Sequence, residues 1–166
     1  MRYKILLFDL DDTLLDFEAN EADSLNKLFQ QYGYTFSDEL FQVYNSVNKQ
    51  LWADYENGII TLEQVLNSRF SKTMLQLGEL VDGAKWDEQY RQLLGNGSQL
   101  IDGAFELCQS LSVSHRLFVV TNGITQTQIK RLKRSGLYAF FEAVFDSRSI
   151  GYQKPSKEFF NYVMSH

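Results

Sequence analysis

Cysteine and proline are nearly absent from this sequence of 166 residues. The one cysteine, Cys108, excludes a framework of disulfides within the chain and zinc sites built from pairs of cysteines. Because Cys108 lies in the helical pattern AFELCQSL, we expect a buried thiol rather than a nucleophile. The one proline, Pro155, lies near the end of the chain, so the long stretch before it lacks the residue that most often breaks helices.

Long apolar runs and an excess of positive charge are also missing. No run reaches the roughly 20 residues that a membrane-spanning helix needs, and acidic residues appear too early for a signal peptide. The net charge of −5 disfavours a protein that binds nucleic acid by neutralising phosphates. The basic segment at 130–134 (KRLKR) is predicted to be a solvated helix end. We therefore expect a cytoplasmic protein that binds neither nucleic acid nor membranes, and its oligomeric state is left open.

Three short apolar runs predict buried strands of a parallel sheet, because strands covered on both faces lack polar alternation. The runs are residues 3–9 (YKILLFD), 116–121 (RLFVVT) and 142–147 (EAVFDS). Helical patterns separate the later runs, which predicts an α/β fold with a parallel sheet.

Between the first and second runs, the sequence has helical periodicity. Ser37 is a predicted helix N-cap, and Thr61 with Gln64 fits a capping box. We interpret residues 16–96 as an inserted all-helical cap. The remaining residues, 1–15 and 97–166, are predicted to form a Rossmann-like core with a parallel sheet.

Acidic residues cluster directly after the first apolar run, in LLFDLDDTLLD. Side chains two positions apart on an extended chain point the same way, so Asp9 and Asp11 are expected to face one spot. That spot lies at the carboxyl end of a strand, where open α/β sheets bind ligands. Two such carboxylates suit a divalent cation or a shared proton, with a solvated acidic turn as the alternative. Asp12, between them, is expected to point elsewhere.

Two later segments suit an anion. The second run ends in Thr121 and Asn122 before a predicted helix, and a hydroxyl, an amide and free N–H groups there bind anions, with plain capping as the alternative. Lys154 precedes Pro155, which favours an extended Lys154 and suits the first position of the closing helix. A cation at a helix N-terminus is unfavourable unless it faces an anion, here Asp9 or a bound phosphate.

Taken together, DLDDT at 9–13, TNG at 121–123 and KP at 154–155 resemble the first three motifs of the haloacid dehalogenase (HAD) superfamily. The resemblance covers essentially the whole chain. The helical block resembles the cap of the subfamily whose insertion follows the first strand. Within it, LWADYENGIITLEQVLNSRF resembles the branch of pyrimidine 5′-nucleotidases and haloacid dehalogenase-like hydrolases.

The resemblance implies a Mg²⁺-dependent phosphatase that acts on small phosphate esters, with nucleoside 5′-monophosphates as one such class. Asp9 is the implied nucleophile and Asp11 the implied general acid and base. Both are implied metal ligands, Asp11 through its main-chain carbonyl. Thr121, Asn122 and Lys154 are implied to bind the phosphate group. The implied partner is a small phosphorylated metabolite.

The superfamily's fourth motif, an acidic pair after a fourth strand, has no counterpart in this sequence. Asp146 ends the third run, and the family's strand order would put it two strands from Asp9, about 10 Å away. We therefore expect a C-terminally truncated copy of a longer hydrolase, with weak or no activity by itself.

Three alternatives stay open at this point. A 2-haloacid dehalogenase would use the same Asp9, but those enzymes lack the acid that Asp11 supplies. A receiver domain of a signalling protein has no helical insertion after the first strand. A catalytically inactive binding module is compatible with the missing motif.

Aromatic residues in and near the cap are candidates for substrate contact. Phe17, at the junction into the cap, is the best of these for a substrate base. Trp52, Tyr55 and Arg69 have helical spacing and are expected to pack in the cap core instead.

Overall fold

The computed structural model describes residues 3–166 and divides into two compact units. The first unit contains the residues up to Ala22 together with Leu94–His166, and the second is Asp23–Leu93. The domain boundaries predicted at 15/16 and 96/97 stay predictions. In the part of the chain that is described, no helix is long and apolar enough to cross a bilayer.

A parallel sheet of three strands forms the centre of the first unit. Its strands are β1 (Ile5–Phe8), β2 (Arg116–Thr121) and β3 (Phe141–Asp146). They lie in the order β1-β2-β3, so β2 pairs with both others and β1 lies at an edge of the described sheet. The prediction of an α/β fold with a helical insertion after the first strand is confirmed. Because all strands are parallel, their carboxyl ends meet at one edge of the sheet.

Helices cover both faces of this sheet. The helices of the first unit beyond the insertion are α5 (Ala104–Ser112), α6 (Thr125–Ser135), α7 (Ser147–Ile150) and α8 (Lys157–Ser165), with a 3-10 helix at Leu137–Phe140. Leu117 and Val119 of β2 point into an apolar cluster with α5 and α6, whereas Val120 points into a second cluster with α8. This period of two explains why β2 reads as a continuous apolar run. Cys108 is fully buried in the first cluster, as predicted.

The closing helix begins later than the sequence suggests. Ser156 is the N-cap of α8 and accepts a hydrogen bond from the Phe159 N–H at 3.2 Å. Pro155 therefore precedes the cap, and its predicted place at the first helical position is wrong. Ser156 is the N-cap because its hydroxyl accepts a hydrogen bond from a helix N–H group, which proline cannot do.

Four helices follow β1 in the chain: α1 (Phe17–Gln31), α2 (Asp38–Glu56), α3 (Leu62–Gln76) and α4 (Gly83–Leu94). The Ser37 hydroxyl caps α2 by accepting from the Leu40 N–H, and Thr61 and Gln64 form the predicted capping box of α3. No strand occurs within residues 23–93, all of which the structure describes.

Aromatic rings fill the interior of the second unit. Nine of them form contacting pairs: Phe29, Tyr32, Tyr34, Phe36, Phe41, Tyr44, Phe70, Trp86 and Tyr90. The Arg69 guanidinium is buried over the Tyr90 ring, and its Nε donates to Asp87 at 2.7 Å. Trp52 and Tyr55 pack against an apolar cluster of α2 and α3. The prediction that these cap residues serve packing is thereby confirmed.

The two ends of the insertion are joined by a short antiparallel clasp. Leu15 bridges Leu100, the Asp16 N–H donates to the Gln99 carbonyl at 3.1 Å, and the Ile101 N–H donates to the Leu14 carbonyl at 3.0 Å. The two chain segments on either side of the insertion therefore lie side by side within the first unit.

Candidate active site

Asp9 follows directly after β1 and forms an ion pair with Lys154. The Lys154 Nζ donates to Asp9 Oδ1 at 2.5 Å and to the Val120 carbonyl at 3.0 Å. Among the described residues, the second oxygen of Asp9 accepts a single long bond of 3.4 Å from the Thr13 hydroxyl, and 46% of the Asp9 side chain is exposed. Asp9 thus has a neighbouring cation and one accessible carboxylate oxygen.

Asn122 holds Lys154 in place through the backbone of Lys154. The Asn122 amide Nδ2 donates to the Lys154 carbonyl at 3.1 Å, and the Lys154 N–H donates to Asn122 Oδ1 at 2.9 Å. This two-point contact joins the segment after β2 to the segment before α8. The predicted phosphate-binding role of Asn122 stays a prediction, and its side chain already has this structural contact.

The Asp11 carboxylate contacts α6 on both of its oxygens. The Arg131 guanidinium forms an ion pair with Oδ1, and Gln128 Nε2 donates to Oδ2 at 2.6 Å. Burial raises the pKa of the Asp11 carboxyl above its ordinary value, although Arg131 and Gln128 act in the opposite direction. The nearby charge of Asp9 adds to the increase. A raised pKa favours the protonated form of Asp11, which is the form that can donate a proton.

Thr121, the last residue of β2, is buried beside this cluster. Its Oγ1 accepts from the Gly123 N–H at 3.0 Å and from Gln128 Nε2 at 3.1 Å. Lys154 contacts Asp9 and the Val120 carbonyl, which directly precedes Thr121, and Gln128 joins Thr121 to Asp11. The four residues Asp9, Asp11, Thr121 and Lys154 are therefore linked at one edge of the sheet. Their catalytic and binding roles stay predictions.

Three other acids of the first unit cap helices. Asp12 has a left-handed backbone (φ 54°), and its Oδ1 accepts from the N–H groups of Phe17 and Glu18, which start α1. As expected, it points away from Asp11. Asp16 caps α1 through the Ala19 N–H. Asp146 is buried at the end of β3, two strands from Asp9, and accepts from the N–H of Ser149 in α7.

The protein side chains present here supply only part of the oxygen ligands that a magnesium ion takes. Among residues 3–166 no three His, Cys, Asp or Glu side chains lie together as a cation site. Asp9 offers an accessible carboxylate oxygen, and a hard cation of this kind keeps several waters and takes few carboxylates plus substrate phosphate. The donor set thus suits a magnesium ion that water and substrate help to coordinate.

The sequence did not point to Gln128 and Arg131. The segment at 130–134 was expected to be a solvated helix end, but Arg131 is only 1% exposed, so that prediction is wrong for Arg131. Its partner Asp11 offsets the cost of burying the charge. The available signal was the spacing of three between Gln128 and Arg131, which gives both side chains one helix face.

Phe17 lies at the start of α1 in the first unit. Its ring faces the Arg131 guanidinium, with 5.5 Å from the ring centroid to Cζ. One face of this ring is therefore used by a cation contact. The predicted contact of Phe17 with a substrate base stays a prediction.

A comparison with protein families matches residues 6–166 to the haloacid dehalogenase-like hydrolases. YfnB from Bacillus subtilis, a protein classed with the HAD hydrolases, is 46% identical over 162 residues, which cover 98% of this chain and 69% of YfnB. The solved structure of YfnB bound to magnesium superposes with a TM-score of 0.97 at 44% identity, covering 100% of this chain and 74% of that one.

Two further relatives are pyrimidine 5′-nucleotidases. PynA from Streptococcus pneumoniae is 38% identical over 164 residues, covering 98% of this chain and 69% of PynA. YjjG from Escherichia coli is 33% identical over 164 residues, covering 99% of this chain and 71% of YjjG.

Proposed function

The chain belongs to the family of haloacid dehalogenase-like hydrolases, and from this premise we propose that it is a magnesium-dependent phosphatase of small phosphate esters. The observation that carries the proposal is a pair of carboxyl groups in different settings. Asp9 is accessible beside Lys154, whereas Asp11 is held by Arg131 and has a raised pKa. Two such environments suit a nucleophile and a proton donor, respectively.

In the first half of the proposed reaction, an Asp9 oxygen attacks phosphorus. The new oxygen–phosphorus bond gives an aspartyl-phosphate, and the bond from phosphorus to the ester oxygen breaks. The protonated Asp11 carboxyl donates its proton to that departing oxygen, so the product leaves as an alcohol. Asp11 is then a carboxylate.

In the second half, water hydrolyses the aspartyl-phosphate. The Asp11 carboxylate takes a proton from the water as its oxygen attacks phosphorus, and the bond to Asp9 breaks. Inorganic phosphate leaves, while Asp9 is again a carboxylate and Asp11 again an acid. One group thus acts as acid and then as base.

The phosphoryl group is bound in this proposal by Thr121 and Lys154. A hydroxyl and an ammonium stabilise negative charge on the phosphoryl oxygens as it develops in the transition state. Asn122 contributes by holding Lys154, and its backbone lies where β2 ends. The bound Lys154 ammonium lies between Asp9 and the Val120 carbonyl, so its direction is fixed.

Asp9 and the main-chain carbonyl of Asp11 are the groups that would hold magnesium. The bound ion supplies positive charge that reduces the repulsion between a carboxylate nucleophile and an anionic phosphate. The magnesium in the YfnB structure supports this part of the proposal.

We propose nucleoside 5′-monophosphates, in particular those of pyrimidines, as the preferred substrates. The support is the identity of 38% and 33% to the two pyrimidine 5′-nucleotidases. Phe17 is the proposed contact for the base. These nucleotides belong to a wider class of proposed substrates, the small phosphorylated metabolites.

The decisive experiment measures phosphate release by the chain from a panel of esters, with magnesium and with a chelator. The panel contains uridine, thymidine and adenosine 5′-monophosphates, glycerol phosphate and p-nitrophenyl phosphate. We expect weak magnesium-dependent release by the chain and stronger release by a version extended through a fourth motif, each exceeding that of its own Asp9→Asn variant, with the pyrimidine nucleotides preferred. Halide release from 2-chloropropionate without magnesium, and no phosphate release, would overturn the proposal in favour of a dehalogenase.

A further inference from the structure

Two buried side chains of α6, Gln128 and Arg131, lie behind Asp11 and Thr121. They are three positions apart and share one face of the helix, and their exposed fractions are 2% and 1%. The two side chains are bonded to each other and to Asp11 and Thr121, so we assign them no substrate contact of their own. Their hydrogen bonds instead reach two residues that the proposed reaction uses.

The orientation of the Gln128 amide follows from the chemistry of its neighbours. Arg131 has only donors, and its NH1 group donates to Gln128 Oε1 at 3.1 Å. The other end of the amide, Nε2, carries two hydrogens and donates to Asp11 Oδ2 at 2.6 Å and to Thr121 Oγ1 at 3.1 Å. Arg131 therefore determines which end of the amide each neighbour meets.

Asp11 is bound on both carboxyl oxygens from the same side. Arg131 pairs with Oδ1 and Gln128 donates to Oδ2. Rotation of the carboxyl group would break both contacts, so its plane is fixed. Each oxygen retains a second acceptor position, on which a proton can be carried.

Thr121 is left with one way to use its hydroxyl hydrogen. Its oxygen already accepts from the Gly123 N–H and from Gln128 Nε2. A hydroxyl has two acceptor positions and one donor hydrogen, so the hydrogen must be donated to another acceptor. A phosphoryl oxygen is such an acceptor.

Two features of this arrangement carry a structural constraint or cost. Among the residues that the structure describes, the buried Arg131 Nε has no hydrogen-bond partner, and an unsatisfied buried donor destabilises a protein. A Cβ atom at Gly123 would lie 2.3 Å from Gln128 Nε2, so any other residue at this position would require the Gln128 amide to move. Packing alone does not require either feature.

We propose that Gln128 and Arg131 are positioning residues, which fix the Asp11 carboxyl for proton transfer to the leaving group and make the Thr121 hydroxyl a donor to the phosphoryl oxygen. This inference rests on the proposed phosphatase function. The pair acts through Asp11 and Thr121 and makes no contact with the substrate.

The test compares two esters that differ in their need for an acid. An alkyl ester such as glycerol phosphate must receive a proton as its oxygen leaves, whereas p-nitrophenolate leaves without one. The value of kcat/KM covers the steps up to departure of this group. We expect Arg131→Met to lower kcat/KM by about 100-fold for the alkyl ester and by less than about tenfold for p-nitrophenyl phosphate.

A second expected signature is a burst of p-nitrophenol in Arg131→Met, close to one molecule per protein molecule. The aspartyl-phosphate still forms with this substrate, but its hydrolysis needs Asp11 as a base. Gln128→Met should show the same pattern, and Arg131→Lys should recover part of the alkyl-ester activity. Lys130→Met, an exposed change in the same helix, is the control and should behave like the wild type.

Different outcomes separate this inference from the proposed function. Hydrolysis of neither ester by the wild-type chain and by a version extended through a fourth motif contradicts the phosphatase itself and, with it, the positioning role. An active wild type with equal losses on both esters in Arg131→Met overturns the positioning role alone. Nuclear magnetic resonance adds a readout without turnover: the Gln128 side-chain amide should be protected from hydrogen exchange in the wild type and Lys130→Met, and unprotected in Arg131→Met. An unprotected amide in the wild type would also overturn the inference.

Discussion

At the scale of single residues, each acid in the opening stretch has a different environment, although the acids lie close together in the sequence. Asp9 faces Lys154, Asp11 faces Arg131, and Asp12 caps a helix. Separate partners reduce the repulsion that neighbouring carboxylates would otherwise have. The cluster therefore does not depend on one shared proton or cation to be stable.

Asp9→Asn tests the proposed nucleophile. The amide keeps the shape of the side chain but cannot form an acyl-phosphate, so we expect phosphate release to fall by at least about 10³-fold. Because the ion pair with Lys154 is partly exposed, the free energy of unfolding should change by about 1 kcal/mol or less. Asp12→Asn is the matched control, since asparagine also caps a helix. Near-normal turnover by Asp9→Asn would contradict the covalent mechanism.

Site residues can be predicted from the sequence when the backbone alone determines where they lie. The motif around Asp9 and the pair Thr121 and Asn122 were predicted because strand ends determine where they lie. Arg131 was missed because its burial depends on tertiary contact with Asp11, which helical spacing within α6 does not reveal. The role of Pro155 was misjudged because the competing cap, Ser156, is equally compatible with the sequence.

At the scale of elements, the sequence predicted where helices begin better than it predicted the contacts between helices. The hydroxyl of Ser37 and the pair Thr61 and Gln64 act within one turn of chain, so their caps are readable from sequence. The partner of Arg69 is 18 positions away, on another helix, and no local pattern identifies Asp87. Predictability thus decreases with the separation of the interacting groups along the chain.

Ser37→Ala measures the contribution of a cap to α2. Loss of the bond to the Leu40 N–H should lower the free energy of unfolding by about 1 kcal/mol, as measured by urea unfolding monitored with circular dichroism. Ser46→Ala, an exposed change inside the same helix, should be neutral or slightly stabilising because alanine favours helix interiors. Equal effects of the two substitutions would show that the cap contributes nothing.

Asp87→Ala breaks the buried charge contact between α3 and α4. Arg69 would then remain buried without its carboxylate, so we expect a loss of about 3–5 kcal/mol in unfolding free energy. Glu88→Ala changes the exposed acid next to it and should cost less than about 0.5 kcal/mol. Urea unfolding of both variants decides the matter, and a small effect of Asp87→Ala would mean that the aromatic cluster holds the Arg69 guanidinium unaided.

At the scale of the whole molecule, the pH dependence of stability should contain a contribution from Cys108. Burial raises the pKa of this thiol to about 11 from an ordinary 9.0. Between these values the unfolded chain loses the proton and the folded chain keeps it, so stability falls as pH rises through this window.

The measurement is the difference in unfolding free energy between the wild type and Cys108→Ala from pH 8 to 11. This difference should fall by about 2–3 kcal/mol at most, because one pKa unit corresponds to about 1.4 kcal/mol. Subtracting the alanine variant removes the titration of tyrosines and lysines, which both chains share. A difference that does not vary with pH would contradict a buried, neutral thiol.

The clasp between Leu15 and Leu100 has a further consequence for how this architecture can vary. Residues 17–98 form a single closed loop whose two ends are held side by side by the clasp. The entropy of closing a loop grows only with the logarithm of its length. Lengthening or shortening the helical insertion therefore changes the entropy of closing this loop very little, so the same clasp can hold insertions of different lengths.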